Sequence, residues 1–588
     1  MRTRTPSRRP SHRALILGAA LAVVAAAGCT EDRPPPVPPG ARTLEEMARE
    51  AGADVVEHLR RGYYAGRSVD IAFVPRPHNV VVRWSGRGLG TDAADPRTSH
   101  STPWDYHQRV PIILYGPGFV RSGATSSRSV DVTDLAPTFA DLLDFRFDAP
   151  DGSTLREALL PPARWDGVPR AIVLVVYDGG GWNLLEEWPS AWPVERRLAR
   201  SGTLYTNATI GSAPSVTTAI HANMGTGAYP ATHGMPEITA RLPDGSVGDI
   251  YFERADPRLL EAPTVGDLWD LERENEPWVG MIGYESWHLG MMSHGAQAPG
   301  GDRDASVLWE REPGLGGFYA NEEFYDLPPY LPGDAELRKR LRELDGEDGA
   351  IDGSWMGHDL ADPEIVPGTP AFVRHQGQAL LEMLRRERVG EDQLTDLVFV
   401  ELKPTDFGGH IWNMVAPEEE FVLRAQDELL GELVRDLDRR VGRGRYVLML
   451  TADHGQTPIP ESTGGRRIHP DVVGARVDER YGITMVQKVT PSGIFLRPGA
   501  LEEAGVTLEQ VARFVGDLRY GDGLPPDADR SRIPPQALRE RVFAAALPGP
   551  YLGGLTDAVV AALGPGEYPE GDLTSAQPAR RFERLVSG

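Results

Sequence analysis

The chain has 588 residues, 40% hydrophobic and 25% charged, an ordinary globular balance that excludes a wholly disordered or collagen-like protein. Lys and Arg number 61 against 85 Asp and Glu, for a net charge of −24. That charge excludes a nucleic-acid scaffold, since phosphate backbones demand basic surface, and the single cysteine excludes a disulfide framework and a cysteine zinc site. The length predicts three or four domain-sized units, or one large α/β domain with insertions. A small anionic ligand stays compatible with the charge, because a local metal outweighs the global sign.

Arg2, Arg4, Arg8, Arg9 and Arg13 precede an apolar run over 14–28. The run is short for a permanent span and ends in small residues, so residues 1–29 read as a secretory signal. Its end, Ala26-Ala27-Gly28-Cys29, resembles a bacterial lipobox, which implies lipidation at Cys29 and a membrane anchor in the cell envelope. Residues 30–42 form a Pro-rich tether. A helical period is predicted over 43–62, strands over 69–74, 79–84 and 110–115, and a helix over 132–143. Residues 148–170 are punctuated by Pro and Gly and read as a connector. Three β-branched apolar runs follow at 171–177, 397–402 and 446–450, as expected of strands buried on both faces. Between the last two, Val422, Ala425, Leu429, Leu433 and Leu437 fall at helical spacing. Strand, helix, strand in that order predicts a parallel sheet with a right-handed crossover. Within 236–395 no period resolves a fold. Strands are predicted over 483–489 and 493–496 and a helix over 507–518.

Parallel sheets bind ligands at the carboxyl ends of their strands. Asp178 follows the first buried run, Asp406 and His410 follow the second, and Asp453 and His454 follow the third. Asp and His are zinc-binding types, and their recurrence at three strand ends is not what helix capping would produce. A fourth segment, GSAPSVTTAIHANMGTGAYPATHGM over 211–235, offers Ser215 or Thr217 at a helix start. There the positive dipole and free backbone N–H groups suit a phosphate.

Together, Asp178, the PSVTTAIH…GTGAYPATHG segment, the DFGGH loop and TADHG resemble the alkaline phosphatase superfamily, and within it the type I phosphodiesterase/nucleotide pyrophosphatase branch. The resemblance implies an alkaline-phosphatase-like α/β fold, a large mostly parallel sheet with helices on both faces. It also implies two Zn2+, with other divalent metals possible, and Thr217 as nucleophile with His221 four residues on. One zinc would be held by Asp178, Asp453 and His454, the other by Asp406, His410 and one more histidine. Residues 67–143 (RSVDIAFV…TSHSTPWDYHQRVPIILYGPGFV…VDVTDLAPTFADLL) resemble the family's C-terminal segment and set His100 on that position. This implies a circular permutation. In an unpermuted chain the candidate is His469 instead. The expected division is 43–150 as the permuted portion, 151–170 as connector, 171–455 as catalytic core with a cap-like insertion over about 236–395, and 456–588 as an accessory α+β lobe.

The implied activity is hydrolysis of a small phosphate ester through a phosphothreonine. Relatives that favour monoesters carry a Lys and an Arg where this chain has Tyr284 and Ser286, the substrate-contact candidates. Ile238 replaces an Asn found in many relatives. These departures lean toward a phosphodiester or nucleotide pyrophosphate. The alternatives are a phosphomonoesterase and a catalytically impaired metal-binding lipoprotein. A formylglycine sulfatase is excluded, since it needs a Cys or Ser opening a short Pro-Arg motif at the nucleophile, and Cys29 is the only cysteine. No polymeric nucleic acid is expected as a partner.

Overall fold

The computed structural model describes residues 40–84, 96–252, 254–311, 314–526 and 528–563. The signal segment, Cys29 and most of the tether lie outside the described residues. Arg42, expected in the tether, is fixed: its backbone N–H and Nε donate to Asp517 at 2.9 and 2.8 Å.

Helices α1 (Leu44–Ala51) and α2 (Ala53–Gly62) replace the single helix predicted over 43–62. Gly52, at φ 97°, breaks it, a backbone state that costs glycine alone little. Strand β1 (Ile71–Pro75) follows. The strand predicted over 79–84 shrinks to Val80–Val81, because its ladder partner among the described residues, Arg467–Ile468, is two residues long. Next come β2 (Arg109–Tyr115), β3 (Ala124–Ser126), β4 (Val130–Asp131) and α3 (Leu135–Leu143). After the connector run β5 (Ala171–Tyr177), β6 (Thr203–Thr209), α4 (Thr217–Thr226) and α5 (Val265–Glu272). The stretch expected as cap-like then supplies β7 (Val279–Ile282), β8 (Ala305–Glu310), β9 (Gly317–Tyr319) and α6 (Pro370–Arg386). Next are β10 (Asp396–Leu402), α7 (Pro404–Trp412), α8 (Pro417–Leu437) and β11 (Tyr446–Ala452). Finally come β12 (Val486–Thr490), β13 (Gly493–Leu496), α9 (Leu508–Gly516), β14 (Phe543–Pro548) and α10 (Leu552–Leu563).

Ten strands form one sheet in the order β9-β8-β7-β10-β5-β11-β2-β6-β3, with β4 also on β6. β5 runs parallel to both β10 and β11, and β2 is antiparallel to β11 and β6. Side chains alternate across the sheet. Ile172, Leu174 and Val176 pack with α3, α4 and α5 on one face. Val173, Val175 and Tyr177 pack with α6 and α8 on the other. Full burial of each branched side chain contributes about 1.5–3 kcal/mol, which explains runs with almost no polar residue. A second sheet, β12-β13-β1-β14, has its own core with α1, α2, α9 and α10. Part of the region expected as an accessory lobe is therefore built from the front of the chain. Among the described residues, no helix is long and apolar enough to cross a membrane.

Candidate active site

Register decides where the chemistry emerges. Tyr177 pairs with Leu402 on one side and Ala452 on the other. The next residues, Asp178, Lys403 and Asp453, therefore leave the sheet side by side. β2 runs the other way, so the segment before Arg109, with His100, returns to the same edge. β6 ends there too, and α4 starts eight residues later at Thr217. β7 ends there and leads into a 3₁₀ turn over Ser286–Met291. A Cβ on Gly225 of α4 would lie 2.2 Å from the Gly290 carbonyl, so glycine lets this turn pack directly on α4.

Three clusters of metal-ligand type result, each with its ligand atoms within 4.8 Å of one another: His100, Asp406 and His410; Asp178, Asp453 and His454; and Asp178, His288 and Glu401. The first two abut, since the His100 and His454 rings stack at 3.9 Å. Among the described residues His469 belongs to no such cluster, and it sits at the N-cap of a helix over Pro470–Tyr481. His107 ties the His100 loop to the segment after His454, pairing through Nδ1 with Thr102 Oγ1 at 2.7 Å and through Nε2 with Thr457 Oγ1 at 2.5 Å. His233 pairs with Asn223 Oδ1 at 2.9 Å.

The donors fit cations. Among the described residues, buried Asp178 Oδ1, Asp406 Oδ1, Asp453 Oδ2 and His454 Nε2 have no hydrogen-bond partner, whereas buried polar groups are nearly always bonded. Nδ1–H of His100, His410 and His454 donates to the carbonyls of Ser215, Thr98 and Gly455 at 2.8, 2.9 and 3.1 Å. That tautomer leaves each Nε2 lone pair facing the carboxylates, as a metal requires. Burial, then His454, pushes the His100 ring down to about 3, so it stays neutral. Burial, then Asp178, raises the Asp453 carboxyl well above its usual range. Burial opposes ionisation of Asp406 as well, but His410 and Lys403 hold that carboxyl well below the usual range.

Thr217 is the first residue of α4 and is 1% exposed. One turn on, His221 Nδ1 lies 2.9 Å from the Thr217 carbonyl oxygen and 3.8 Å from Asp453 Oδ2. That links the helix start to the second cluster. The Tyr284 ring packs against Phe407 and Phe372 at 4.8 and 5.7 Å, and its buried hydroxyl has no hydrogen-bond partner. Ser286 opens the turn that carries His288.

Sequence reasoning missed three residues. Lys403 Nζ lies 2.8 Å from Asp178 Oδ2 and 2.7 Å from Asp406 Oδ2, so one buried ammonium bridges the first two clusters. Glu401 is fully buried with both carboxylate oxygens lacking hydrogen-bond partners. His288, which the sequence left without context, has Nε2 3.3 Å from Asp178 Oδ2 and 3.4 Å from Glu401 Oε1. A signal existed for two of them. Alternation from Leu397 and Phe399 puts Glu401 on the buried α4 face, and a charged pair ending an apolar strand is anomalous. His288 had no such signal.

A model of the type I phosphodiesterase / nucleotide pyrophosphatase family matches residues 172–519. The chain belongs to that family. It is 24% identical over 444 residues to a protein of Myroides odoratus named calcium-transporting ATPase, covering 64% of this chain and 78% of that one. The alkaline phosphatase PafA of Elizabethkingia meningoseptica is 33% identical over 92 residues, a local match covering 16% of each. The crystal structure of wild-type alkaline phosphatase PafA shares the fold, with a TM-score of 0.50 and 18% identity, over 59% of this chain and 76% of that one. Family membership makes the chain a hydrolase of phosphoric esters, with the mixed α/β fold the sequence predicts.

Proposed function

We propose that the chain is an exported, zinc-dependent hydrolase that acts through a phosphothreonine on Thr217, with phosphodiesters or nucleotide pyrophosphates as substrates. The observation that carries this is the pair of abutting three-residue clusters, with Asp178 Oδ1, Asp406 Oδ1, Asp453 Oδ2 and His454 Nε2 left without partners, beside the first turn of α4. Asp406, His410 and His100 would hold one zinc, and Asp178, Asp453 and His454 the other. Bound there, the metals supply Lewis acidity and neutralise developing charge on oxygen. Thr217 Oγ1 bonds to phosphorus as the bond to the leaving oxygen breaks, and its proton ends on that oxygen. The free N–H groups of the first turn of α4 face the phosphoryl oxygens. Water then cleaves the phosphothreonine: its oxygen bonds to phosphorus as the bond to Oγ1 breaks, and one of its protons passes to Oγ1.

A second reading, hydrolysis of monoesters, has one observation in its favour. Lys403 supplies a positive donor among the ligands that the sequence did not offer at Tyr284 and Ser286, and a dianionic ester gains most from such a donor. Export and lipid anchoring at Cys29 rest on the signal-like N-terminus. The permuted order is supported by packing: α10, near the end of the chain, lies on α1 and α2 at its folded start.

The test compares kcat/KM on a p-nitrophenyl phosphate diester and on the monoester, with Thr217→Ala as the blank. Preference for the diester, lost in Thr217→Ala, supports the first reading. Preference for the monoester moves the assignment to the second. A Thr217→Ala enzyme with undiminished turnover overturns the phosphothreonine.

A further inference from the structure

Away from the candidate active site, the opposite edge of the large sheet holds a second concentration of charge. Asp270 lies in the last turn of α5, shortly before the amino end of β7, and Asp302 and Asp304 lie just before β8. Ligand oxygens of the three carboxylates lie within 4.8 Å of one another. Asp270 is 4% exposed and Asp304 7%. Among the described residues no lysine or arginine forms an ion pair with any of them. Arg303, between the two aspartates, turns instead to Asp326 at 3.6 Å. Three carboxylates are thus gathered without an ion-paired lysine or arginine among the described residues, two of them out of water, where an unpaired charge costs several kcal/mol.

A second observation is independent of the acidic count. Among the described residues, buried Asp270 Oδ1 has no hydrogen-bond partner. Its neighbour Asn275 shows the same pattern. The Asn275 N–H donates to the Asp270 carbonyl at 2.9 Å, and its Nδ2 donates to the Gly300 carbonyl at 3.0 Å. Its Oδ1 is buried and also lacks a partner. Without a cation, burial followed by the neighbouring Asp302 pushes the Asp270 carboxyl up to about 7, and burial raises Asp304 well above the carboxylate range.

We propose that Asp270, Asp302 and Asp304 bind a structural Ca2+ ion, separate from the metals of the candidate active site. The donors are all oxygen, with no histidine or cysteine, which selects a hard cation over zinc. Ca2+ accepts irregular carboxylate and carbonyl ligands, whereas Mg2+ demands near-octahedral geometry. The ion would fasten one end of a strap. The chain leaves the catalytic edge after β7, carries His288 through the turn on α4, and returns to this cluster. There Asp304 accepts from Ser293 Oγ, and Asp267 accepts from the His294 N–H at 2.5 Å.

The test uses the full, zinc-loaded protein and Ca2+ alone as the probe. Calorimetric titration should find one Ca2+ per chain, and saturating Ca2+ should raise Tm by about 2–4 °C. Asp270→Asn and Asp304→Asn should each weaken Ca2+ binding at least tenfold and abolish the Tm rise, with zinc content unchanged. A terbium titration of the wild type, read by emission sensitised through Trp269 and displaced by Ca2+, reports on the same site even if a variant fails to fold. No Ca2+ binding by zinc-loaded wild type at about 5 mM, above the dissociation constants of about 0.1–1 mM typical of extracellular calcium sites, would overturn the proposal. So would full binding in both variants. If Ca2+ leaves Tm unchanged while Asp270→Asn raises it at pH 8, the cluster holds protons instead of a metal, and the proposal fails.

Discussion

The carboxyl edge of the large sheet and the four-stranded lobe are both assembled from the two ends of the chain, yet they are built in opposite ways. The lobe joins β1 from the front to β13 and β14 from the rear around an apolar core. The edge joins His100 from the front to Asp406, His410, Asp453 and His454 from the rear around buried carboxylates and imidazoles, several of them without partners. One region is held by packing. The other gathers groups that oppose packing until a cation neutralises them. Substitutions in the two should therefore separate cleanly into losses of stability and losses of chemistry.

The largest effects are expected at the edge. Thr217→Ala should lower kcat/KM by on the order of 10^4-fold with Tm unchanged, since it removes the proposed nucleophile and little volume. His100→Ala should cost one equivalent of zinc, measured by elemental analysis, whereas His469→Ala should cost none; the reverse result would move the third ligand to His469. In the lobe, Phe543 is fully buried with its ring 4.7 Å from that of Phe73. Phe543→Ala should cost about 3–5 kcal/mol of unfolding free energy and leave kcat/KM of the folded enzyme intact. An equal loss of activity would break the comparison.

Between the two regions lies Glu237, whose Oε2 accepts from Ser492 Oγ at 2.7 Å. Burial pushes this carboxyl up to about 7 from 4.5. A raised carboxyl favours the fold below pH 4.5, and that advantage is lost as pH rises through 7. Glu237→Gln should therefore stabilise the protein by about 3 kcal/mol at pH 8 and by almost nothing near pH 4, in paired denaturant titrations. The smallest effect tests the bridging ammonium. Lys403→Met should lower monoester turnover about tenfold relative to diester turnover; an unchanged ratio would remove Lys403 from substrate contact.

Much of this was legible in the sequence because it depends on short-range order. Continuous β-branched runs announce doubly buried strands, and an Asp or His just past such a run announces a strand-end ligand. The proposed ligands Asp178, Asp406, His410, Asp453 and His454 were picked out that way. The strands β7 and β8 were not, because four to six residues inside a loop-rich stretch carry no readable period. His288 was hidden for the same reason, since its place depends on a turn that packs on α4 through Gly225 and Gly290. Glu401 and Lys403 were visible as residues but were absorbed into the end of an apolar strand. The break at Gly52 was hidden because the period on either side of it continues.

The alignment of Tyr177 with Leu402 and Ala452 turns the three central strands into a length gauge. Each residue added to a strand advances its end by about 3.3 Å and turns the next side chain to the other face. Metal–ligand distances tolerate about 0.2 Å. An insertion or deletion within β5, β10 or β11 is thus forbidden in steps as small as one residue, while the turns at the opposite edge that lie outside the Asp270, Asp302 and Asp304 cluster are free to grow. Variation in loop length along this chain should collect at those turns.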